Sequence, residues 1–342
     1  MLIRQASAES DPRLAQLIDW LSNIEAVAGS DPVVASEDAS FRRYFRLQTA
    51  TRSFIAMDAP PEQEDSTSFL RVAAFLESMQ LNAPRIIEAD LEQGFILLSD
   101  LGEQPYLDVL NQAPENADAM YADAIRALVQ MQQRGTACQS TLPPYDETLL
   151  RFELSLFHDW LCETHLGIEF SAEDETAWQG LCDALVANAL DQPQVFVHRD
   201  YHSRNLMFTE EDNPGILDFQ DAVEGPYTYD LASLLKDCYV RWPAGKVVNW
   251  ALEFYAQLDD DAKAHTDTET FLRHFELMGV QRHLKAAGIF ARLNHRDGKT
   301  GYMQDIPRTL QYIVELAPRY DLLGFLIAFI DERVLPGLEN SA

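Results

Sequence analysis

The sequence predicts an α+β protein of two unequal lobes, a small β-rich lobe over residues 1–100 and a larger, mainly helical lobe over 101–342. Three observations carry this. Strand and hairpin patterns dominate before residue 100. From Leu101 onward apolar residues recur at helical spacing. One strand-bearing insert, between Gln194 and Pro226, breaks that helical run.

In "SDPRLAQLIDWLSNI" a polar start precedes Leu14, Leu17, Ile18 and Leu21, which predicts the first helix. "SFRRYFRLQ", the polar turn "TATR" and "SFIAM" predict a hairpin. Ser66 to Met79 predicts a helix with Phe69, Val72, Ala73 and Leu76 on one face, and "PRIIEA" and "GFILLSD" predict two further strands. Helices are expected over "ADAIRALVQMQQ", "LLRFELSLFHDWL" and "TAWQGLCDALVANAL". The run "LLGFLIAFI" is too short to cross a bilayer and predicts a buried helix.

The chain has 342 residues, enough for a packed core, and no low-complexity tract. Its formal charge of −29 argues against a nucleic-acid surface, which needs clustered cations. Cys138, Cys162, Cys182 and Cys238 are dispersed without a C-x-x-C pair, so reduced thiols are expected rather than a zinc or disulfide scaffold. The start "MLIRQASAESDPR" has no apolar core of a signal peptide. A cytoplasmic monomer with neither a membrane nor a nucleic-acid partner is the expectation.

The insert reads "VFVHRDYHSRNLMFTEEDNPGILDFQDAVEGPYTYDLASLL". "LMF" and "GIL" flank the turn formers "TEEDNP" and predict an antiparallel hairpin, whose two ends bring Asn205 and Asp218 together, with Asp200 one short loop away. Oxygen ligands of this kind suit a hard cation, magnesium above all. A carboxylate beside that ion accepts a proton from an attacking hydroxyl, so the set fits phosphoryl transfer. "HRDYHSRN" also fits H-R-D-x-x-x-x-N, with "LDF" following as in D-F-G, which adds His198 to Asp200 as a catalytic candidate. Two competing readings exist: a His and an Asp tying down a buried loop, and a transition-metal site on His198, Asp200 and His202. Only Phe219 to Tyr227 separate Asp218 from the next predicted helix, too few for a peptide-seating activation segment, so a small-molecule acceptor is expected. Asp230 reads as a helix-capping or first-turn carboxylate.

"HRDYHSRNLM", "GILDFQDAVEGPYTYDLASLLKDCY" and the two-lobed plan resemble the aminoglycoside phosphotransferase family, with its protein-kinase-like fold. "DASFRRYFR", "AMDAPPE", "FILLSDLG", "ELSLFHDW" and "QRHLKAAGIFARLNHRDGKTGYMQDIPRTLQYI" are similar to its anomeric sugar kinases, which phosphorylate N-acetylmuramate and N-acetylglucosamine at C1. The resemblance implies a cytoplasmic enzyme of cell-wall sugar recycling that uses ATP and magnesium, with Asp200 as base and Asn205 and Asp218 as metal ligands. Aminoglycoside-like or choline-like acceptors are the alternative.

Two features depart from the family pattern. Met57 stands where a phosphate-binding lysine is usual, and "SEDASFRR" has no glycine. Backbone amides of Ala39, Ser40 and Phe41 are expected to hold phosphate, with Arg42 or Arg43 supplying charge. Arg43 shares a strand face with Phe41 and Phe45, either as a phosphate-facing cation or as half of a salt bridge. The missing lysine also admits a nucleotide-binding pseudokinase scaffold, against which the intact Asp200, Asn205 and Asp218 argue. For the sugar, His202, Arg204 and Glu224 flank the catalytic loop. Arg282, Lys285, Arg292, Arg296 and Lys299 form a dense basic patch, from which one or two cations are expected to meet an anionic acceptor.

Overall fold

The computed structural model describes residues 11–37, 41–259, 263, 266–316 and 319–341. The chain forms two compact units, Met1–Gln104 with Met207–Asp221, and Pro105–Leu206 with Ala222–Ala342. The division differs from two continuous segments because the hairpin of the insert bonds back to the first unit. Phe208 N–H donates to the Gln104 carbonyl and Ile216 N–H to that of Asn82.

In the first unit, helix α1 (Pro12–Ser22) begins where Asp11 accepts the amides of Arg13 and Leu14. Such a cap satisfies donors that no helical carbonyl reaches. Strands β1 (Pro32–Glu37), β2 (Arg43–Gln48), β3 (Ser53–Asp58), β4 (Ile86–Asp90) and β5 (Phe95–Ser99) form one antiparallel sheet in the order β1-β2-β3-β5-β4. Leu14, Leu17 and Leu21 of α1 pack on Phe45, Leu47, Phe54, Ala56, Phe95 and Leu97. Strand alternation therefore gives one sheet face to α1 and turns Tyr44, Ile55 and Met57 to the other. Helix α2 (Thr67–Ser78) buries Phe69, Val72, Ala73 and Leu76, the face its periodicity predicts. Strand β1 is absent from the sequence reading. It opens on a proline and exposes Val33 and Val34, so it has the character of an edge strand rather than an alternating buried one.

The second unit is mainly helical. Helix α3 (Tyr106–Gln112), α4 (Ala117–Gly135), α5 (Glu147–Leu156) and α6 (Ala172–Leu190) precede strand β6 (Gln194–Val197). The short strands β7 (Leu206–Met207) and β8 (Gly215–Ile216) form the expected hairpin, which belongs with the first unit from Met207 on, while in the second unit β9 (Val223–Pro226) pairs antiparallel with β6. Helix α7 (Tyr229–Leu235), α8 (Ala244–Gln257) and the long α9 (Thr268–Asp297) follow. Gly288 lets α9 run against α5: a Cβ there would collide with the Leu156 carbonyl. That approach carries the cations of α9 to a glutamate of α5, Glu153. "LLGFLIAFI" is helical as expected but one-sided, with Leu323, Leu326, Phe329 and Ile330 buried. All four cysteines are free, and three are buried. Among the described residues no helix is long and apolar enough to cross a membrane.

Candidate active site

Strand β6 delivers the chain to His198, and from there two buried aspartates hold the loop. Asp230, in the first turn of α7 and 0% exposed, accepts the amides of His198 at 2.6 Å and Arg199 at 2.9 Å. Asp237, just beyond α7, accepts the Ser203 amide at 2.9 Å and the Ser203 hydroxyl at 2.5 Å. Between these anchors the loop ties itself: the Asp200 amide donates to His198 Nδ1 at 3.2 Å, and Asn205 Nδ2 donates to the Asp200 carbonyl at 3.0 Å. Arg199 sits at φ 79°, a left-handed conformation a non-glycine residue keeps only when its surroundings impose it.

Of the two expectations for Asp230, the first-turn carboxylate holds and the helix cap does not. Thr228 occupies the cap position of α7, and the Asp230 carboxylate points back to brace a loop 31 residues earlier. His198 is fully buried, and its ring accepts the Asp200 amide. The transition-metal reading also fails. Among the described residues, the group with three clustered ligand atoms is His158, Asp159 and Glu163, not His198, Asp200 and His202. His158 has both ring nitrogens against acids, Asp159 at 2.9 Å and Glu175 at 3.0 Å.

Beside the loop lies a buried charge cluster that sequence reasoning did not single out. Glu153 accepts from Arg199 Nη2 at 2.6 Å, from Lys285 Nζ at 3.0 Å and from the Tyr145 hydroxyl. Lys285 also donates to the Tyr229 hydroxyl at 2.9 Å. Arg282, only 7% exposed, places its guanidinium 5.3 Å from the centre of the Tyr229 ring. A glutamate inside the apolar run "LLRFELSLF" was the available signal for Glu153.

The electrostatics follow from this crowding. Burial raises the Asp200 carboxyl, but Lys285, His202, Arg199 and Arg282 outweigh it and hold it below the ordinary aspartate value. Asp200 is thus ionised at neutral pH. Burial pushes Asp230 up to about 7, against the downward pull of the His198 and Arg199 amides and of Arg282. Burial also raises Glu153, yet Lys285 and Arg199 bring it below its usual range. Among the described residues the Asp200 carboxylate makes no hydrogen bond or ion pair, whereas those of Glu153, Asp230 and Asp237 do.

The other acceptor-side candidates separate. His202 has its Nδ1 buried without a partner, its ring edge-on to Tyr239, and burial lowers its pKa. Arg204 is exposed and lies over the Tyr239 ring at 4.1 Å. Glu224, on β9, accepts from Gln139 Nε2 at 3.2 Å with its carboxylate. The basic patch of α9 divides in the same way: Lys285 is taken by Glu153, and Arg296 pairs with Asp297 on the surface.

In the first unit, Ala39 and Ser40 lie outside the described residues. Phe41 is 63% exposed, and its amide donates to Glu64 at 3.1 Å. Arg43 is the half of a salt bridge rather than a phosphate-facing cation: its Nη2 meets the fully buried Asp58 at 2.5 Å, and it also pairs with Asp11. The reason is alternation, since Arg43 pairs across from Asp58 on the α1 face and Met57 faces the other way. Asp218 adopts φ 61°, and Gln220, in the glycine position of D-F-G, donates to its Oδ1 at 2.7 Å. Asn205 donates its amide nitrogen to the Asp200 carbonyl, and its amide oxygen is the atom of the kind a cation binds. An amide oxygen and a carboxylate are hard donors, so this pair suits magnesium in kind.

The phosphotransferase enzyme family (APH) matches residues 33–267. A protein of Pseudomonas aeruginosa called N-acetylmuramate/N-acetylglucosamine kinase is 48% identical over 94% of this chain and 98% of its own length. A Pseudomonas putida protein of the same name is 46% identical over 94% of this chain and 97% of its own. Among solved structures, choline kinase LicA from Streptococcus pneumoniae superposes with a TM-score of 0.60 at 11% identity, over 87% of this chain and 98% of that one, a likeness of fold. With the H-R-D-x-x-x-x-N loop in place and relatives of this identity over nearly its whole length, the chain belongs to the aminoglycoside phosphotransferase family and is a phosphotransferase of protein-kinase-like fold.

Proposed function

We propose that this enzyme transfers the γ-phosphoryl group of ATP to the anomeric C1 hydroxyl of N-acetylmuramate or N-acetylglucosamine, as a cytoplasmic monomer in cell-wall sugar recycling. One observation carries the reading of the site: among the described residues the ionised Asp200 carboxylate makes no hydrogen bond or ion pair, while Asp230 and Asp237, which brace its loop, are hydrogen-bonded to it. The names of relatives at 46–48% identity support the choice of acceptor.

The acceptor hydroxyl donates to the Asp200 carboxylate, which orients its oxygen and takes the proton as the bond to phosphorus forms. A base with a lowered pKa suits phosphoryl transfer, where positioning matters more than early proton removal. Asp230 and Asp237 keep that carboxylate in place by fixing the backbone on both sides of it. Lys285, Arg199 and Arg282 hold it charged until the hydroxyl arrives. Asn205 and Asp218 would hold magnesium, which when bound offsets the charge of the phosphate oxygens. Backbone amides around Phe41 remain our candidates for the nucleotide phosphates, which would displace Glu64 from the Phe41 amide and from Arg42.

A phosphorylation screen of free sugars, choline and an aminoglycoside, with ³¹P and ¹³C NMR of the product, tests the proposal. Phosphate on C1 of either amino sugar is the expected result. Turnover of choline or the aminoglycoside alone would overturn the acceptor, and nucleotide binding without any transfer would favour a scaffold.

A further inference from the structure

We infer that Arg204 reads an acidic substituent on the acceptor, and so favours N-acetylmuramate, which carries a lactyl carboxylate, over the neutral N-acetylglucosamine. The inference rests on the amino-sugar reading above and deepens it.

Arg204 differs from its neighbours in how its charge is treated. Arg199 and Lys285 share Glu153, and Arg296 pairs with Asp297. Arg204 instead stacks on aromatic faces, 4.1 Å from the Tyr239 centroid and 5.5 Å from that of Tyr302. It has no carboxylate partner among the described residues, in a chain with 55 acids against 26 lysines and arginines. Asp305, the nearby acid, is bound by Arg308 at 3.2 Å. Stacking uses the face of a guanidinium; one donor also bonds the Tyr239 side chain, and the others remain for a carboxylate. A planar fork pairs with a carboxylate through parallel bonds, which a lysine cannot copy.

The placement is rigid and close to the chemistry. Asp237 accepts from Ser203, the residue beside Arg204, with one oxygen and from the amide of Tyr239, the ring Arg204 stacks on, with the other at 2.8 Å. One buried carboxylate thus sets both the arginine and its aromatic support. Tyr302 in turn stacks on Phe290 of α9, with ring centres 5.6 Å apart. Arg204 is exposed and stands on the loop between Asp200 and Asn205, so a sugar whose hydroxyl meets Asp200 brings its substituents to the same loop.

Two other arginines of the basic patch, Arg282 and Arg292, also make no ion pair with a carboxylate among the described residues. Arg282 is buried and acts on Asp200, so its loss would affect both sugars alike. Arg292, whose Nε is buried without a partner, is the control.

The test is steady-state kinetics on both sugars for the wild type, Arg204→Gln, Arg204→Lys and Arg292→Gln, with thermal melts to confirm folding. In Arg204→Gln the kcat/KM ratio of muramate to glucosamine should fall about tenfold to a hundredfold, mainly through KM, as expected when a charged hydrogen bond is lost. Arg204→Lys should recover part of it. An unchanged ratio, an equal fall on both sugars, or the same fall in Arg292→Gln would overturn the role of Arg204 while leaving the acceptor reading standing. A wild type that turns over neither sugar would remove the acceptor reading, and this inference with it.

Discussion

Asp58 in the first unit and Glu153 in the second are built alike. Each is a buried carboxylate holding two cations from distant stretches, Arg13 and Arg43 in one case, Arg199 and Lys285 in the other. They differ in what remains once the pairs are made. Around Asp58 the second acid, Asp11, is also bound by Arg43, so the charges close on themselves and fasten α1 to the sheet. Around Glu153 the same cations act further, on Asp200, which makes no ion pair among the described residues. A buried ion cluster is therefore no mark of chemistry; the mark is a charged group that the cluster influences and does not consume.

The largest effect that could break this comparison is at Asp200 itself. Asp200→Asn should lower turnover by about 10²–10⁴-fold while nucleotide affinity, measured by calorimetry, stays near that of the wild type. Wild-type turnover would reduce the second cluster to another Asp58.

Next come the two cluster centres, exchanged for their amides. Removing one partner of a buried pair leaves uncompensated charge, a loss of about 3–5 kcal/mol in either unit. Denaturant melts of Asp58→Asn and Glu153→Gln should thus show similar losses. Their activities should diverge. Assayed below its melting temperature, Asp58→Asn keeps its kcat, whereas Glu153→Gln loses kcat because Arg199 and Lys285 no longer sit where they act on Asp200. Parallel falls in kcat would end the distinction between the units.

A smaller effect sharpens it through pH. Asp230 has its pKa raised by burial to about 7, so the folded state binds more protons than the unfolded chain between about pH 4 and 7. Its contribution is complete below the unfolded value and is lost as pH rises through 7. Asp230→Asn does not titrate, so the stability gap between wild type and variant should narrow across that window. The amide also cannot accept both N–H groups, which sets a loss of about 1–3 kcal/mol at low pH. A gap that widens with rising pH would contradict the assignment.

Much of this was legible in the sequence, and the rest was hidden for identifiable reasons. The string "HRDYHSRN" gave the loop and Asp200, because local spacing decides them. Alternation placed Arg43 on the Phe45 face but could not supply its partner, since Asp58 arrives only through strand register. Asp230 and Asp237 flank the apolar "LASLLK", and nothing local says that they brace a loop some 30 residues away. Strand β1 escaped because an exposed edge needs no alternation.

The basic patch on α9 is where sequence most blurred two kinds of cation, and it yields the smallest prediction. Arg282 to Lys299 reads as one cluster, yet Lys285 is buried against Glu153 while Arg296 is 56% exposed and pairs with its own neighbour, Asp297, at 2.8 Å. An exposed pair gains little in water, loses side-chain entropy and is screened by salt, so its value is about 0–1 kcal/mol. Arg296→Ala should therefore leave stability within about 0.5 kcal/mol of wild type and kcat/KM on both sugars within the error of the assay. Lys285→Ala, a few turns earlier on the same helix, should lose both stability and turnover, because Glu153 and Tyr229 lose a buried donor and Asp200 loses the leading cation that holds it ionised. If Arg296→Ala proved as damaging as Lys285→Ala, the patch would act as one surface after all, and the division between spent and acting charge would fail on the helix where it is easiest to measure.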